Sequence, residues 1–209
     1  MRLPSVSALS SVRAATLAAL FAAGSLAAVA NTAIQPAPRD PSWVKRHEGF
    51  VAIAKQGGVD VLFLGDSITQ GWARHAAIWD EAFGKYDPVN FGIGGDRTQH
   101  VLWRIENGEL ETLKPQAVVL MIGTNNAGAD TAEDIAKGIT AIVDAIKAKQ
   151  PQAKILLLAV FPRGEKPTGK MGVAHEKLKQ VNATIAKLDD GRTVHYLDIG
   201  GAFPAPNNT

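Results

Sequence analysis

The sequence contains no cysteine among its 209 residues. This absence excludes a disulfide framework and a lipid-modified cysteine anchor. Internal repeats, low-complexity tracts, zinc-ligand spacings and stretches that interleave basic with aromatic residues are absent as well. We therefore expect neither a nucleic-acid partner nor a bound metal or other cofactor.

An excess of charge of one sign is also missing. The chain has 22 basic and 20 acidic residues, and Arg2 and Arg13 are the only charged residues before Arg39. The rest of the chain therefore carries 20 residues of each sign. A near-neutral chain gives no indication of a polyanionic partner.

A long, uninterrupted hydrophobic run is absent too. The basic residues Arg2 and Arg13 precede an alanine- and leucine-rich run over 14–30 that ends in Ala28-Val29-Ala30. This pattern is typical of a secretory signal peptide, whereas the polar interruptions and the shortness of the run disfavour a permanent transmembrane helix. We expect residues 1–30 to be a signal peptide, cut after Ala30 or Ala33. The protein would then be secreted or periplasmic, without stable membrane insertion.

The remaining length suits one domain with a sizeable core. The proline-rich stretch before Asp40 predicts a linker over 31–41, and 42–209 is predicted to be the domain. Short apolar runs alternate with segments of helical periodicity, which favours a parallel sheet with helices on both faces. The predicted strands are 59–64, 88–91, 117–122, 155–160 and 193–197. The predicted helices run from Asp40 or Ser42 to 57 and over 75–83, 98–107, 131–149 and 173–188.

Chemistry in such a sheet is expected in the loops that leave the carboxyl ends of the strands. Ser67 follows the first strand, a glycine cluster that includes Gly95 follows the second, and Asn125 follows the third. Each feature alone is explained by a turn or a helix cap. A dinucleotide site is excluded because the glycine cluster lacks the third glycine of that fingerprint.

Taken together, these loops resemble three sequence blocks of the GDSL, or SGNH, hydrolases. The resemblance is greatest to the branch related to the catalytic subunits of platelet-activating-factor acetylhydrolase. It extends from about Trp43 to the end of the chain. The three blocks are Gly65-Asp66-Ser67-Ile68, Asn90-Phe91-Gly92-Ile93-Gly94-Gly95-Asp96 and Gly123-Thr124-Asn125-Asn126. Stretches near Trp103, Glu109, Arg163 and Asp198 support the same branch.

The resemblance implies a flavodoxin-like three-layer α/β/α fold with a parallel five-stranded sheet. It also implies a serine esterase that cleaves short, acetyl-like acyl esters of lipids or carbohydrates. Ser67 would be the nucleophile, and the oxyanion would be held by the backbone N–H groups of Ser67 and Gly95 and by the Asn125 amide. Asp66 and Asp96 are expected either to cap helices or to support the residues of the site. Trp103 is expected to lie in the core, and residues 163–167 are expected to form a loop at the rim of the pocket.

One departure from the family pattern concerns the catalytic base. The family takes its aspartate and histidine from a D-x-x-H block beyond the last strand, followed by a terminal helix, and no such block occurs in this sequence. We expect an incomplete domain that lacks this helix and has little esterase activity, because serine needs a base. His195 precedes the loop where the base should emerge, so we do not expect it to substitute. The histidines are His47, His75, His100, His175 and His195.

Three functional hypotheses remain open at this stage. The first is an exported serine esterase. The second is a non-catalytic protein that binds a carbohydrate or another ester, and the third is a degenerate product without a stable fold. The sequence leaves open the acyl and alcohol parts of the substrate, the identity of any general base and the oligomeric state.

Overall fold

A parallel sheet forms the middle layer of the structure, a computed structural model that describes residues 31–162 and 169–202, without the side chains of 169–172. Within these residues the sheet has five strands in the order β2-β1-β3-β4-β5. This is the flavodoxin-like order, so the predicted three-layer α/β fold is confirmed. The strands are β1 (Val61–Gly65), β2 (Pro88–Gly92), β3 (Ala117–Met121), β4 (Lys154–Leu158) and β5 (Val194–Leu197).

Helices cover both faces of the sheet. Phe63 of β1 packs against Trp79 and Phe83, with ring centroids 4.6 and 4.9 Å away, while its strand neighbours Leu62 and Leu64 point to the other face because side chains alternate. Both leucines are fully buried. The helices are α1 (Pro41–Gln56), α2 (Ser67–Gln70), α3 (Ala76–Phe83), α4 (Thr98–Arg104), α5 (Ala132–Lys149) and α6 (Gly169–Ile185).

The cap signals in the sequence begin helices where they were predicted. The Asp40 carboxylate accepts hydrogen bonds from the N–H groups of Ser42 and Trp43 at the start of α1. Thr131 Oγ1 accepts the Asp134 N–H at 3.1 Å and starts α5. Such caps satisfy N–H groups that have no partner inside the helix. The predicted apolar stripe of α5 is buried and consists of Ile135, Ile139, Ile142 and Ile146.

The predicted helix over 98–107 is shorter in the structure. α4 ends at Arg104, and a wide turn, Ile105–Glu109, follows it. Within this turn Gly108 has φ +98°, outside the helical region. The turn carries the Glu109 carboxylate back to the Arg104 guanidinium at 3.2 Å, a buried pairing that a continued helix would not make.

Residues 31–40, the N-terminal arm, differ from the predicted linker because they fold onto the domain. Ala33 has no exposed surface, and its carbonyl accepts a hydrogen bond from Thr98 Oγ1 at 2.8 Å. Further along, the Ala37 N–H donates to the Gln99 carbonyl. The close approach depends on Gly138 in α5, where an added Cβ would lie 2.8 Å from the Ala33 carbonyl oxygen.

Two predicted segments lie outside the described residues. They are the signal peptide over 1–30 and the rim loop over 163–167. Among the described residues, no helix is long and apolar enough to span a membrane.

Substitution of Gly138 by alanine tests how tightly the N-terminal arm is seated. The new methyl group would lie 2.6 Å from Thr98 Oγ1 and 2.8 Å from the Ala33 carbonyl. We therefore expect Gly138→Ala to lower the free energy of unfolding by about 1–3 kcal/mol, as overpacking does, when measured by urea denaturation.

Gly49→Ala is the matched control. Gly49 lies inside α1, and an added Cβ there meets no atom within 4 Å. This change should raise the free energy of unfolding by about 0.5–1 kcal/mol, since alanine is the better helix former. Equal stabilisation by both substitutions would show that the arm does not pack tightly on α5.

Candidate active site

Ser67 stands where the chain leaves β1 and enters α2. Asp66 is buried, and its carboxylate accepts the Ile68 N–H at 2.9 Å. It therefore caps α2, which is one of the two roles expected of it. Ser67 is the first residue of the helix and is exposed. The strand end and the cap thus fix the backbone of a serine that solvent and ligands can reach.

The glycine loop after β2 packs against this short helix. Gln70 Oε1 accepts the Gly94 N–H at 2.6 Å, and Asn90 Nδ2 donates to the Thr69 carbonyl at 2.8 Å. A Cβ added to Gly94 would lie 3.8 Å from the Ser67 Cβ. The structure therefore places Ser67 beside the glycine loop, as the order of the sequence blocks predicted.

The third predicted residue is attached to the same loop. Asn125 Nδ2 donates to the main-chain carbonyl of Asp96 at 2.8 Å, directly after Gly95, which has φ +80°. Asn126 has a different role, because it is fully buried and its Oδ1 accepts the Thr98 N–H at the start of α4. Ser67, Gly95 and Asn125 thus belong to one connected set of loops.

A buried carboxylate holds this loop from behind. Asp96 Oδ1 accepts Trp43 Nε1–H at 2.7 Å and Arg39 Nη1–H at 3.2 Å, while Arg104 Nε lies 3.3 Å from Oδ2. Arg39 also donates to the Gly94 carbonyl at 2.8 Å. Asp96 therefore links the arm, α1 and α4 to the loop that carries Gly95, which is the supporting role expected of it.

Arg104 extends the network towards β2 and α1. Its guanidinium has no exposed surface, donates to the Phe91 carbonyl at 2.7 Å and lies 3.2 Å from Glu109. Glu109 in turn contacts His47 Nδ1 at 3.2 Å. Buried charges are tolerated when they are paired in this way.

Burial also shapes the titration of the groups around Asp96. Burial raises the pKa of the Asp96 carboxyl, and Arg104, Trp43 and Arg39 oppose part of that increase. Burial, assisted by the positive charges of Arg39, Arg97 and Arg104, lowers the pKa of His100 to about 4. A neutral imidazole at neutral pH suits the observed geometry, in which His100 Nδ1 accepts the Arg97 N–H at 2.9 Å.

Sequence reasoning did not identify Arg39, Trp43 and Gln70 as site residues. Arg39 stood in the presumed linker and carried no local signal. Trp43 and Gln70 lie on α1 and α2, and their partners are far away in sequence. Arg104 had a usable signal, because a cation three residues after Val101 falls on the apolar stripe of its helix. Trp103 packs against the core, and its ring is tilted by 53° to that of Trp43 with the centroids 5.3 Å apart.

No histidine of the described residues is hydrogen-bonded to the candidate nucleophile. All five lie in the described residues, and none forms a hydrogen bond with Ser67. His195 pairs with Leu156 of β4 inside β5. Since β5 is three strands from β1, His195 and Ser67 are at least roughly 14 Å apart from the strand spacing alone. His195 is therefore too distant to act as the base.

The low pKa of His100 has a consequence for stability that pH can test. An unfolded histidine takes up a proton near pH 6.5, whereas folded His100 stays neutral down to about pH 4. Because the unfolded state then binds more protons, the free energy of unfolding falls as the pH is lowered through this window. The contribution of His100 to that fall is at most about 3 kcal/mol.

Urea denaturation of the wild type and of His100→Gln at several pH values measures the contribution of His100 to the free energy of unfolding. Glutamine can still accept the Arg97 N–H but does not titrate. We expect the stability difference between the two proteins to shift against the wild type between about pH 6.5 and 4. A difference independent of pH would contradict the burial assigned to His100.

Comparison with known proteins agrees with this geometry. The model of the GDSL-like lipase/acylhydrolase family matches residues 63–209. Over 169 residues the chain is 46% identical to platelet-activating factor acetylhydrolase IB subunit alpha2 of Rattus norvegicus, covering 78% of this chain and 69% of that protein. It is 42% identical over 179 residues to subunit alpha1 of Homo sapiens, covering 85% and 75%.

A solved structure shares the fold. It is a GDSL-like lipase from Bacteroides thetaiotaomicron, with a TM-score of 0.59, 24% identity, and coverage of 74% of this chain and 76% of that one. Because the identity is only 24%, this similarity shows the shared fold and nothing about the activity. The family match and the curated relatives decide the rest: the chain belongs to the GDSL-like lipase/acylhydrolase family and, by that membership, is a carboxylic ester hydrolase.

Proposed function

We propose that the chain acts on short acyl esters, acetyl esters foremost, of lipid or carbohydrate alcohols, with Ser67 as the nucleophile. The observation that carries the proposal is the placement of an exposed Ser67 beside the glycine loop, to which Asn125 is hydrogen-bonded. The names of the curated relatives specify acetyl hydrolysis by those proteins, which supports the choice of a short acyl group.

The donors for an oxyanion are available at this place. The N–H groups of Ser67 and Gly95 make no hydrogen bond to any other described residue. Asn125 uses one N–H on the Asp96 carbonyl, and its amide has a second. Three donors fixed by the loops can stabilise negative charge that develops on a carbonyl oxygen.

The reaction then follows the chemistry of acyl transfer. Ser67 Oγ bonds to the ester carbonyl carbon, and its proton passes to a base while the carbonyl oxygen becomes the oxyanion. Collapse of this intermediate expels the alcohol, which takes up a proton, and leaves an acyl group on Ser67. Water attacks the acyl carbon in the second half and releases the carboxylic acid and the free serine.

The proton acceptor is the part that the described residues do not supply at Ser67. A serine hydroxyl without an adjacent base is a poor nucleophile, so we propose low turnover for this chain. The same observation favours a second candidate function, binding of an ester without turnover.

Imidazole in solution can distinguish the two functions. Because Ser67 is exposed, we expect added imidazole to act as the missing base and to accelerate p-nitrophenyl acetate hydrolysis by the protein above the rate in buffer alone. Ser67→Ala should remove the protein-dependent rate. Asn125→Ala should lower it roughly 100- to 1000-fold, as loss of one oxyanion donor does, and a chelator should leave it unchanged.

Two matched controls accompany this measurement. Thr112→Ala removes an exposed hydroxyl, and Asn107→Ala removes an exposed amide that donates to the Trp103 carbonyl at 2.7 Å; neither should alter the rate. A rate that survives Ser67→Ala, or that disappears with the chelator, would refute the mechanism. Ester binding without protein-dependent turnover at any imidazole concentration would favour the second candidate.

We also propose export, with cleavage of the signal peptide after Ala30. Cleavage after Ala33 would remove a fully buried residue and the carbonyl that accepts Thr98 Oγ1, whereas cleavage after Ala30 leaves the N-terminal arm complete. We expect N-terminal sequencing of the extracytoplasmic protein to begin at Asn31. A cytoplasmic protein that retains Met1 would overturn this proposal.

A further inference from the structure

A cavity of about 290 Å³ opens beside the candidate nucleophile. It shares Gly94 and Gln70 with the Ser67 site, because Gln70 is one turn after Ser67 on α2 and holds the Gly94 N–H. The polar groups of its wall come from the N-terminal arm, α1 and α2. The lining residues that matter here are Arg39, Asp40, Ser42, Arg46, Gln70 and Gly94.

The two arginines in this wall differ in what they already bind. Arg39 is paired with Asp96 and donates to the Gly94 carbonyl. Arg46 donates to the Gly92 carbonyl at 3.3 Å and forms no ion pair with any carboxylate in the part of the chain that the structure describes. Its guanidinium carries five N–H donors, so donors remain for a ligand in the cavity.

Neither carboxylate near the cavity is paired with Arg46. Asp40, which also lines the cavity, keeps its negative charge but accepts the N–H groups of Ser42 and Trp43 as the cap of α1. Asp96 lies behind the wall and is shared by Arg39 and Arg104.

A second cavity of about 170 Å³ adjoins the first and shares Arg46 and Gln70 with it. Its wall is mainly apolar and includes Trp72 and Trp79. A ligand that spans both cavities would therefore place an apolar or aromatic part against the tryptophans and an anionic group at Arg46.

We propose that Arg46, assisted by Arg39 and Gln70, forms a subsite for an anionic group, a carboxylate or a phosphate, on the alcohol part of the ester substrate. The inference rests on the proposed function, whose substrate class it narrows. Guanidinium groups bind carboxylate and phosphate oxygens through paired N–H donors. The site thus favours acyl esters of anionic alcohols over neutral ones of similar size.

Matched substrates measure this preference. The ratio of kcat/KM for 4-acetoxybenzoate to kcat/KM for its methyl ester isolates the negative charge, and 4-acetoxyphenyl phosphate supplies the phosphate arm. All three are assayed with imidazole present. We expect Arg46→Gln to lower the anionic-to-neutral ratio roughly 5- to 10-fold, the size expected for one partly exposed charge-assisted contact. The more affected of the two anions identifies the group that the subsite prefers.

Two further variants keep the result interpretable. Arg46→Lys retains the charge and should recover part of the ratio. Lys45 precedes Arg46 on α1 and does not line the cavity. Lys45→Gln removes this neighbouring charge and should change the ratio less than 2-fold. Equal effects of Lys45→Gln and Arg46→Gln, or an unchanged ratio in Arg46→Gln, would overturn the proposal.

A binding measurement separates this inference from the proposed function. The Ser67→Ala chain is titrated with 4-acetoxybenzoate and with its methyl ester, and binding is followed by the NMR signals of the Trp72 and Trp79 indole N–H groups. We expect tighter binding of the anion, weakened roughly 5- to 10-fold when Arg46→Gln is added. This result stands even if Ser67 proves not to be the nucleophile, whereas equal binding of both esters would refute the subsite.

Discussion

The candidate site depends on one buried side chain, the carboxyl group of Asp96. Its Oδ1 accepts the Trp43 indole N–H at 2.7 Å and the Arg39 guanidinium at 3.2 Å, and its Oδ2 lies 3.3 Å from Arg104 Nε. Its own main-chain carbonyl holds Asn125 at 2.8 Å. The positions of the other two candidate oxyanion donors, Gly95 and Asn125, therefore depend on how Asp96 is bound.

Such an arrangement is costly unless it is complete. A charge taken out of water is stabilised in the interior only when partners replace its hydration, and loss of one partner from a buried network costs about 3–5 kcal/mol. Here the partners come from three parts of the chain, since Trp43 lies on α1, Arg104 on α4 and Arg39 on the N-terminal arm. All three therefore help to hold the loop that carries Gly95.

The same assembly creates the surface that a substrate would meet. The arm that brings Arg39 to Asp96 also closes one side of the cavity beside Gly94, and α1 contributes Arg46 to it. The proposed chemistry and the proposed subsite for the alcohol part thus use neighbouring residues on shared elements. Ser67 itself stays exposed at the end of β1, with the proposed oxyanion donors beside it.

The sequence by itself determined the features that depend on near neighbours and on order along the chain. Asp40, Asp66 and Thr131 cap helices through groups two or three residues away, and the alternation of elements with the three loop blocks pointed to the fold and to Ser67, Gly95 and Asn125. Tertiary structure alone decided that the presumed linker packs on α5, and that Arg39 reaches Asp96 across 57 residues. It likewise decided that Arg46 and Gln70 share a cavity. The physical reason is that a cap or a stripe is satisfied within one helix, whereas the partner of a buried charge is set by the order of the strands and by how the segments around them pack.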